Sequence, residues 1–113
     1  MKPPGQALSL PELPPLAALE AYLADSEARH ADIWPGAEKT VIRAGPALRP
    51  TPLALVYLHG FSACRQETTP LCEQVAESLG ANLFYTRLQG HGRPAASLLD
   101  CHPEHWYADA LEA

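Results

Sequence analysis

The hydrophobic positions near the start of the chain follow the period of an α-helix. Between residues 16 and 32, charged side chains separate apolar positions that recur at steps of three, four and seven, which is typical of an amphipathic helix. Pro35 and Gly36 then predict the end of this helix. The positions that define the spacing are Leu16, Leu19, Leu23, His30 and Ile33.

The middle of the chain changes to short apolar and β-branched runs, which predict strands. Residues 40–43 contain β-branched side chains and predict a short strand near a sheet edge. Residues 53–58 are apolar without alternation, which predicts a strand covered on both faces, as in a parallel sheet. A third strand is predicted at residues 82–86.

Helical spacing returns between the second and third predicted strands. Leu71, Val75 and Leu79 lie at steps of four, so they share one face of a predicted helix. Thr69 is expected to be the N-cap of this helix, and Gly80 is expected to end it in the left-handed conformation. The strand, helix and strand from residue 53 to residue 86 therefore predict a right-handed parallel crossover.

The predicted elements together define a fold class and a domain boundary. Residues 87–99 predict a loop, and Pro103 predicts the start of a last helix. The element order predicts an α/β fold with an incomplete doubly wound, mainly parallel sheet, preceded by the amphipathic helix. Prolines crowd the N-terminus, so we expect a Pro-rich tail at residues 1–13 and one domain at residues 14–113.

Charge and composition exclude several classes of protein. The formal net charge is −5, which argues against a nucleic-acid partner because such a partner requires a basic face. No apolar run is long enough to span a bilayer, and Met1–Gly5 is not followed by the apolar core of a signal peptide. Cys64, Cys72 and Cys101 are an odd number at unrelated spacings, which predicts free thiols in a reducing cytoplasm. We therefore expect a cytoplasmic protein.

Two short motifs follow the second and third predicted strands. His59-Gly60-Phe61-Ser62-Ala63 comes directly after the apolar run, and Arg87-Leu88-Gln89-Gly90-His91-Gly92 comes about thirty residues later. With this order, distance and strand–loop–helix context, residues 40–113 resemble the N-terminal part of an α/β-hydrolase, truncated before the nucleophile elbow. The resemblance implies the N-terminal half of that fold and a parent protein that cleaves ester or related acyl bonds.

The resemblance implies a role for each motif. Acyl transfer places negative charge on a carbonyl oxygen, and a fixed backbone N–H stabilises that charge. The loop donor would be the N–H of Phe61, with Gly60 allowing close approach to the ligand and His59 bracing the loop. Gly90-His91-Gly92 would be a structural turn. His91 would not be the catalytic base, because the family's catalytic His comes last in chain order.

No member of the Ser-His-Asp/Glu triad can be assigned in this chain. Ser62 imitates G-x-S-x-G, but Cys64 replaces the final glycine and six residues separate Ser62 from Thr69. We interpret Ser62 and Glu67 as substrate-proximal, while Glu67 could instead pair with Arg65 or reach the following helix. The resemblance implies a small-molecule acyl or ester substrate and no cofactor, and the 113-residue chain alone is predicted to be inactive.

Two other functional classes remain open. The chain could be a non-catalytic α/β binding or assembly module that completes its sheet with a partner, or with a second copy through an open sheet edge. It could also be a small α/β enzyme that uses Cys64 or the cluster from Cys101 to His105. His102-Pro103-Glu104 matches the H-x-E of zinc deaminases, but the downstream P-C-x-x-C is absent, so we predict a polar helix start and no metal site.

Overall fold

The computed structural model describes residues 12–113. These residues contain one three-stranded sheet. The strands are β1 (Thr40–Ile42), β2 (Ala54–Tyr57) and β3 (Asn82–Tyr85). The helices are α1 (Leu19–Glu27), α2 (Leu71–Leu79) and α3 (Pro103–Glu112), with 3₁₀ turns at Leu16–Ala18, Arg65–Thr68 and Ala95–Asp100. Residues 1–11 of the predicted tail lie outside the described residues, and none of the described helices is long and apolar enough to cross a membrane.

The strand order is β1-β3-β2, which places β3 in the centre. β2 pairs with β3 in parallel, with Tyr57 opposite Tyr85, so the predicted parallel pairing is confirmed. β1 lies at an edge, as expected, but it pairs with β3 antiparallel, with Ile42 opposite Leu83.

The prediction of an incomplete doubly wound, mainly parallel sheet is therefore wrong. The sheet is small and mixed, with one parallel and one antiparallel pair. A parallel neighbour requires a crossover connection, usually a helix. Residues 43–53, which join β1 to β2, contain no helix, so β1 enters the sheet without a helical crossover and runs opposite to both β3 and β2.

The buried core lies between β3 and α2. Leu83, Tyr85 and Ala76 form its centre, and Cys72 and Leu55 pack against them. α2 therefore faces the sheet with Cys72 and Ala76, which are one turn apart.

The predicted apolar face of α2 is an exposed flank of the helix and does not cover the sheet. It consists of Leu71, Val75 and Leu79. The prediction that the strand at 53–58 is covered on both faces is also wrong. β2 is an edge strand, and its exposure alternates, with Ala54 and Val56 exposed. An unbroken apolar run does not distinguish a central strand from an edge strand, because neighbours elsewhere in the chain decide coverage.

Two predicted helix boundaries differ from the structure. The first helix ends at Glu27 and not near residue 32. The Glu27 carboxylate turns inward and accepts the Lys39 N–H at 2.9 Å. α2 begins at Leu71, and the Thr69 hydroxyl donates to the Arg65 carbonyl and caps no helix N–H. Gly80 ends α2 in the left-handed conformation, which confirms that prediction.

Candidate active site

Both sequence motifs lie in loops that leave the same edge of the sheet. β2 and β3 are parallel and adjacent, so the loops after Tyr57 and Tyr85 start side by side at the carboxyl ends of the strands. In open α/β sheets this edge is the usual location of ligand sites. The structure therefore brings the residues predicted around Phe61 next to those predicted around His91.

Two buried histidines join these loops by reciprocal hydrogen bonds. Nε2 of His59 accepts the Leu88 N–H at 3.0 Å, and Nε2 of His91 accepts the Ser62 N–H at 3.0 Å. The imidazole centroids are 4.7 Å apart, and the residues are 4% and 3% exposed. Each histidine therefore holds the backbone of the loop that carries the other one.

The same hydrogen bonds define the tautomer of each imidazole. A backbone N–H can only donate, so the Nε2 atoms of His59 and His91 must both be unprotonated acceptors. The protons then lie on Nδ1, which donates to the Gly60 carbonyl at 2.9 Å in His59 and to the Gln89 carbonyl at 3.2 Å in His91. Both imidazoles are therefore neutral in this arrangement.

The Phe61 N–H is left without an acceptor among residues 12–113. The two following donors are engaged, because the Ser62 N–H donates to His91 and the Ala63 N–H donates to the Gly60 carbonyl at 3.1 Å. The Gly60 N–H, like that of Phe61, has no acceptor among residues 12–113. Ser62 has a φ of 64°, an uncommon conformation for a residue with a side chain. The loop therefore presents the free N–H groups of Gly60 and Phe61, and Phe61 is 73% exposed.

Aromatic contacts place α3 over this loop. The Phe61 ring makes edge contacts with His91 and Trp106 at centroid distances of 5.8 and 5.9 Å. The Trp106 indole N–H donates to the Gln89 carbonyl at 2.9 Å. Trp106 was not among the predicted site residues, and no local signal indicated it, because its partners lie on two distant loops.

The two glycines of the second motif are required by its geometry. Gly90 and Gly92 have φ of 81° and 68°. A Cβ on Gly90 would lie 2.5 Å from Cys101 Sγ, and one on Gly92 would lie 2.9 Å from the Ala37 Cβ. Gly60 differs, because its φ is not left-handed and a Cβ there would meet no atom within 4 Å. The backbone itself does not require Gly60.

Glu67 lies on the turn after the first loop and contacts a strand. Its carboxylate accepts the Tyr57 hydroxyl at 2.6 Å. Burial and this hydrogen bond raise the pKa of Tyr57 to about 12. Arg65 does not pair with Glu67; its Nε donates to the Glu38 carbonyl at 2.8 Å.

A buried ion pair anchors the second motif to α1. Arg87 donates from Nε and Nη2 to the Glu27 carboxylate at 2.6 and 2.9 Å. Burial would raise the pKa of Glu27, but hydrogen bonds from Arg87 and the Lys39 N–H outweigh it and lower the pKa. Arg87 Nη1 also donates to the His91 carbonyl at 3.1 Å, so this pair supports the turn directly.

α3 holds the same turn from the other side. The Asp109 carboxylate accepts the Gln89 N–H at 2.8 Å, and burial raises the pKa of Asp109. Lys39 Nζ donates to Glu112 at 2.6 Å and to Asp109 at 3.4 Å. None of these acidic and basic residues was predicted, since only their positions in the fold bring them together.

The cysteine and histidine cluster does not assemble as a reactive or metal-binding site. Cys101 Sγ donates to the Gln89 carbonyl at 3.2 Å, and burial raises the pKa of this thiol. The His102 N–H donates to His105 Nδ1 at 3.2 Å, which is a helix-start interaction. No group of three metal-ligating side chains occurs within residues 12–113.

Cys64 lines a cavity of about 130 Å³ that Ser62 and His91 also line.

Comparison with known proteins identifies no relative: no protein-family model, curated protein or solved structure matches the chain.

Proposed function

We propose that residues 40–113 are the N-terminal part of a cytoplasmic α/β-hydrolase that cleaves ester or related acyl bonds. The observation that carries the proposal is the free N–H of Phe61, which has no acceptor in the described chain. It lies beside two engaged donors, the N–H groups of Ser62 and Ala63. The resemblance of the two motifs to those of an α/β-hydrolase implies the reaction, cleavage of an acyl bond. The substrate would be a small acyl or ester molecule.

The proposed role of the loop is electrostatic. A tetrahedral intermediate places negative charge on the former carbonyl oxygen, and a donor that is already oriented stabilises that charge without reorganising. The Phe61 N–H would supply one hydrogen bond, and the residue after the nucleophile would supply the other. Ser62 and Glu67 would lie beside the substrate, and no cofactor is required.

The proposal is tested in the protein that carries the nucleophile, by replacing Phe61 in two ways. Phe61→Pro removes the N–H and is expected to lower kcat by about 10²-fold to 10³-fold, the usual cost of one oxyanion donor. Phe61→Ala keeps the N–H and is expected to retain most activity, although it loses the ring contacts with His91 and Trp106. Equal kcat values for both variants, with unchanged melting temperatures, would contradict the proposal.

The 113-residue chain provides the baseline, because the proposal assigns no triad member to it. We expect no sustained hydrolysis of p-nitrophenyl acetate by this chain. Turnover that Ser62→Ala abolishes would show instead that Ser62 is a nucleophile.

An exposed apolar surface favours a second candidate, a module that completes its sheet with another copy of itself. Cys72 and Ala76 face the sheet, while Glu73 and Glu77 line a groove beside β1. The uncharged flank of α2 must therefore lie on the β2 side. Val56 points to the opposite face of the sheet, because Leu55 and Tyr57 on either side of it pack on the α2 side. The flank and the open β2 edge therefore expose apolar side chains on both sides of the sheet, each 40–59% exposed: Leu53, Val56, Leu58, Leu71, Val75 and Leu79.

A second copy could cover these side chains by pairing at the β2 edge. An antiparallel β2–β2 pair places the two α2 flanks on the same face of a continuous sheet, where they can pack against each other. Residues 50–58 carry no charged side chain, so the pairing brings no like charges together. The acidic side chains of α2 point away from this contact.

Self-association predicts a dimer that a charge on the β2 edge disrupts. Val56→Lys is expected to convert the chain to a monomer, because an edge lysine blocks strand pairing. Leu99→Lys is the matched control, since Leu99 is 83% exposed and lies on the 3₁₀ turn at Ala95–Asp100, and it should leave the dimer intact. Analytical ultracentrifugation measures both. A monomeric parent chain, or equal effects of the two variants, would contradict self-association.

A further inference from the structure

We infer that His59 and His91 form a proton-sensitive latch that positions the Phe61 loop only while both imidazoles are neutral. The latch consists of these two side chains and the two backbone N–H groups that they accept, those of Leu88 and Ser62. The latch itself is defined by these two hydrogen bonds. The claim that it regulates an oxyanion donor rests on the proposed function.

The reciprocal geometry makes the latch sensitive to a single proton. Protonation at Nε2 would turn the acceptor of His59 into a donor that faces the Leu88 N–H, and the same holds for His91 and Ser62. Each proton would therefore replace one of the two hydrogen bonds by a contact between two donors. Two imidazolium rings 4.7 Å apart would also repel each other.

Burial opposes protonation of the latch. Burial, together with the facing His91 and the charge of Arg87, lowers the pKa of His59, against the opposing effects of the Gly60 carbonyl and Glu67. The charged groups that face the pair are Glu67 from the turn before α2, Arg87 after β3, and Asp109 of α3, which accepts the Gln89 N–H. His91 also contacts the rings of Phe61 and Trp106, which carry no charge.

The sign of the pH dependence follows from this direction. The pKa of an unfolded histidine is about 6.5. Because His59 in the fold takes up its proton at lower pH, the unfolded state binds more protons as the pH falls below that value. The stabilisation from the latch is therefore complete at higher pH, and it is lost as the pH falls through the lowered pKa of His59.

A titration by NMR tests the latch without any catalytic assay. The amide resonances of Ser62 and Leu88 are followed from about pH 8 to about pH 5, the range in which histidine changes charge. We expect the Leu88 resonance to shift below the midpoint of an unfolded histidine, and the Ser62 resonance to shift with it because the two loops are joined. Imidazole ¹⁵N shifts at the upper pH should show Nδ1-protonated tautomers for both histidines, and an Nε2-protonated tautomer for either one would overturn the latch.

Glutamine variants separate the latch from ordinary pH sensitivity. The side-chain oxygen of glutamine can accept a hydrogen bond near the position of Nε2 but does not titrate. His59→Gln with His91→Gln should keep the fold at the upper pH and abolish the common transition. His30→Gln is the matched control, because His30 lies in the groove between α1 and β1, and it should leave the transition unchanged.

The outcomes distinguish the latch from the proposed function. Persistence of the transition in the double variant overturns the latch. If the double variant does not fold, an unchanged Leu88 shift in His59→Gln or an unchanged Ser62 shift in His91→Gln overturns it. If the transition disappears but Phe61→Pro retains full kcat in the nucleophile-bearing protein, the latch stands and the oxyanion role fails. If Phe61→Pro loses activity while the Ser62 and Leu88 amides do not titrate, the oxyanion role stands and the latch fails.

Discussion

Replacing Arg87 with methionine is expected to lower the free energy of unfolding by about 3–5 kcal/mol, as found when one partner of a buried ion pair is removed. Glu27 and Arg87 are 6% and 5% exposed, so the carboxylate would remain buried without its cation. The variant also loses the hydrogen bond from Nη1 to the His91 carbonyl. Urea unfolding measures the change, with the m-value showing whether the transition stays two-state.

Two further variants test the cause of this loss. Arg43→Met removes an exposed pair with Glu20, whose atoms are 3.4 Å apart, and should have a much smaller effect because water screens exposed charges. Combining Arg87→Met with Glu27→Leu should recover part of the stability, since no unpaired charge remains buried, while the Lys39 N–H loses its acceptor. A double variant as unstable as Arg87→Met would show that the loss came from packing or from the His91 contact.

Replacing Gly90 with alanine is expected to have the second largest effect. A left-handed φ costs an L-residue about 1–2 kcal/mol, and forcing an extra methyl group into a packed site costs about 1–3 kcal/mol more. The added Cβ would lie 2.5 Å from Cys101 Sγ and 2.9 Å from the Ser97 carbonyl oxygen. The backbone oxygen cannot move without shifting the turn that precedes α3.

Two other glycines separate strain from lack of space. Gly80 has a φ of 61° but open surroundings, so Gly80→Ala should show the conformational cost alone. Gly45 has neither a left-handed φ nor a neighbour within 4 Å, so Gly45→Ala should change the free energy of unfolding by at most about 0.5 kcal/mol. Thermal or urea unfolding of the three variants should give the order Gly90, Gly80, Gly45. Equal losses at Gly90 and Gly80 would mean that the turn adjusts to the methyl group.

Both sites affect the latch, because Arg87 and Gly90 hold the turn that carries His91. A loosened turn would move the imidazole that accepts the Ser62 N–H. We therefore expect either substitution to alter the Ser62 amide resonance even where the protein remains folded at the upper pH.

Features that depend on neighbouring residues were predictable from the order of amino acids. The left-handed end of α2 at Gly80 follows from the lack of a side chain there. The parallel pairing of β2 and β3 follows from two apolar runs separated by one helix. The positions of His59, Phe61 and His91 in loops after strands follow from the same pattern.

Features that depend on distant residues appeared only with the tertiary structure. The direction of β1 and the exposure of Val56 depend on which strands become neighbours, and an apolar run is the same in the centre and at the edge of a sheet. The Glu27–Arg87 pair joins residues 60 positions apart. The role of each histidine depends on a backbone N–H 29 residues away, and a single sequence contains no local signal for such a hydrogen bond.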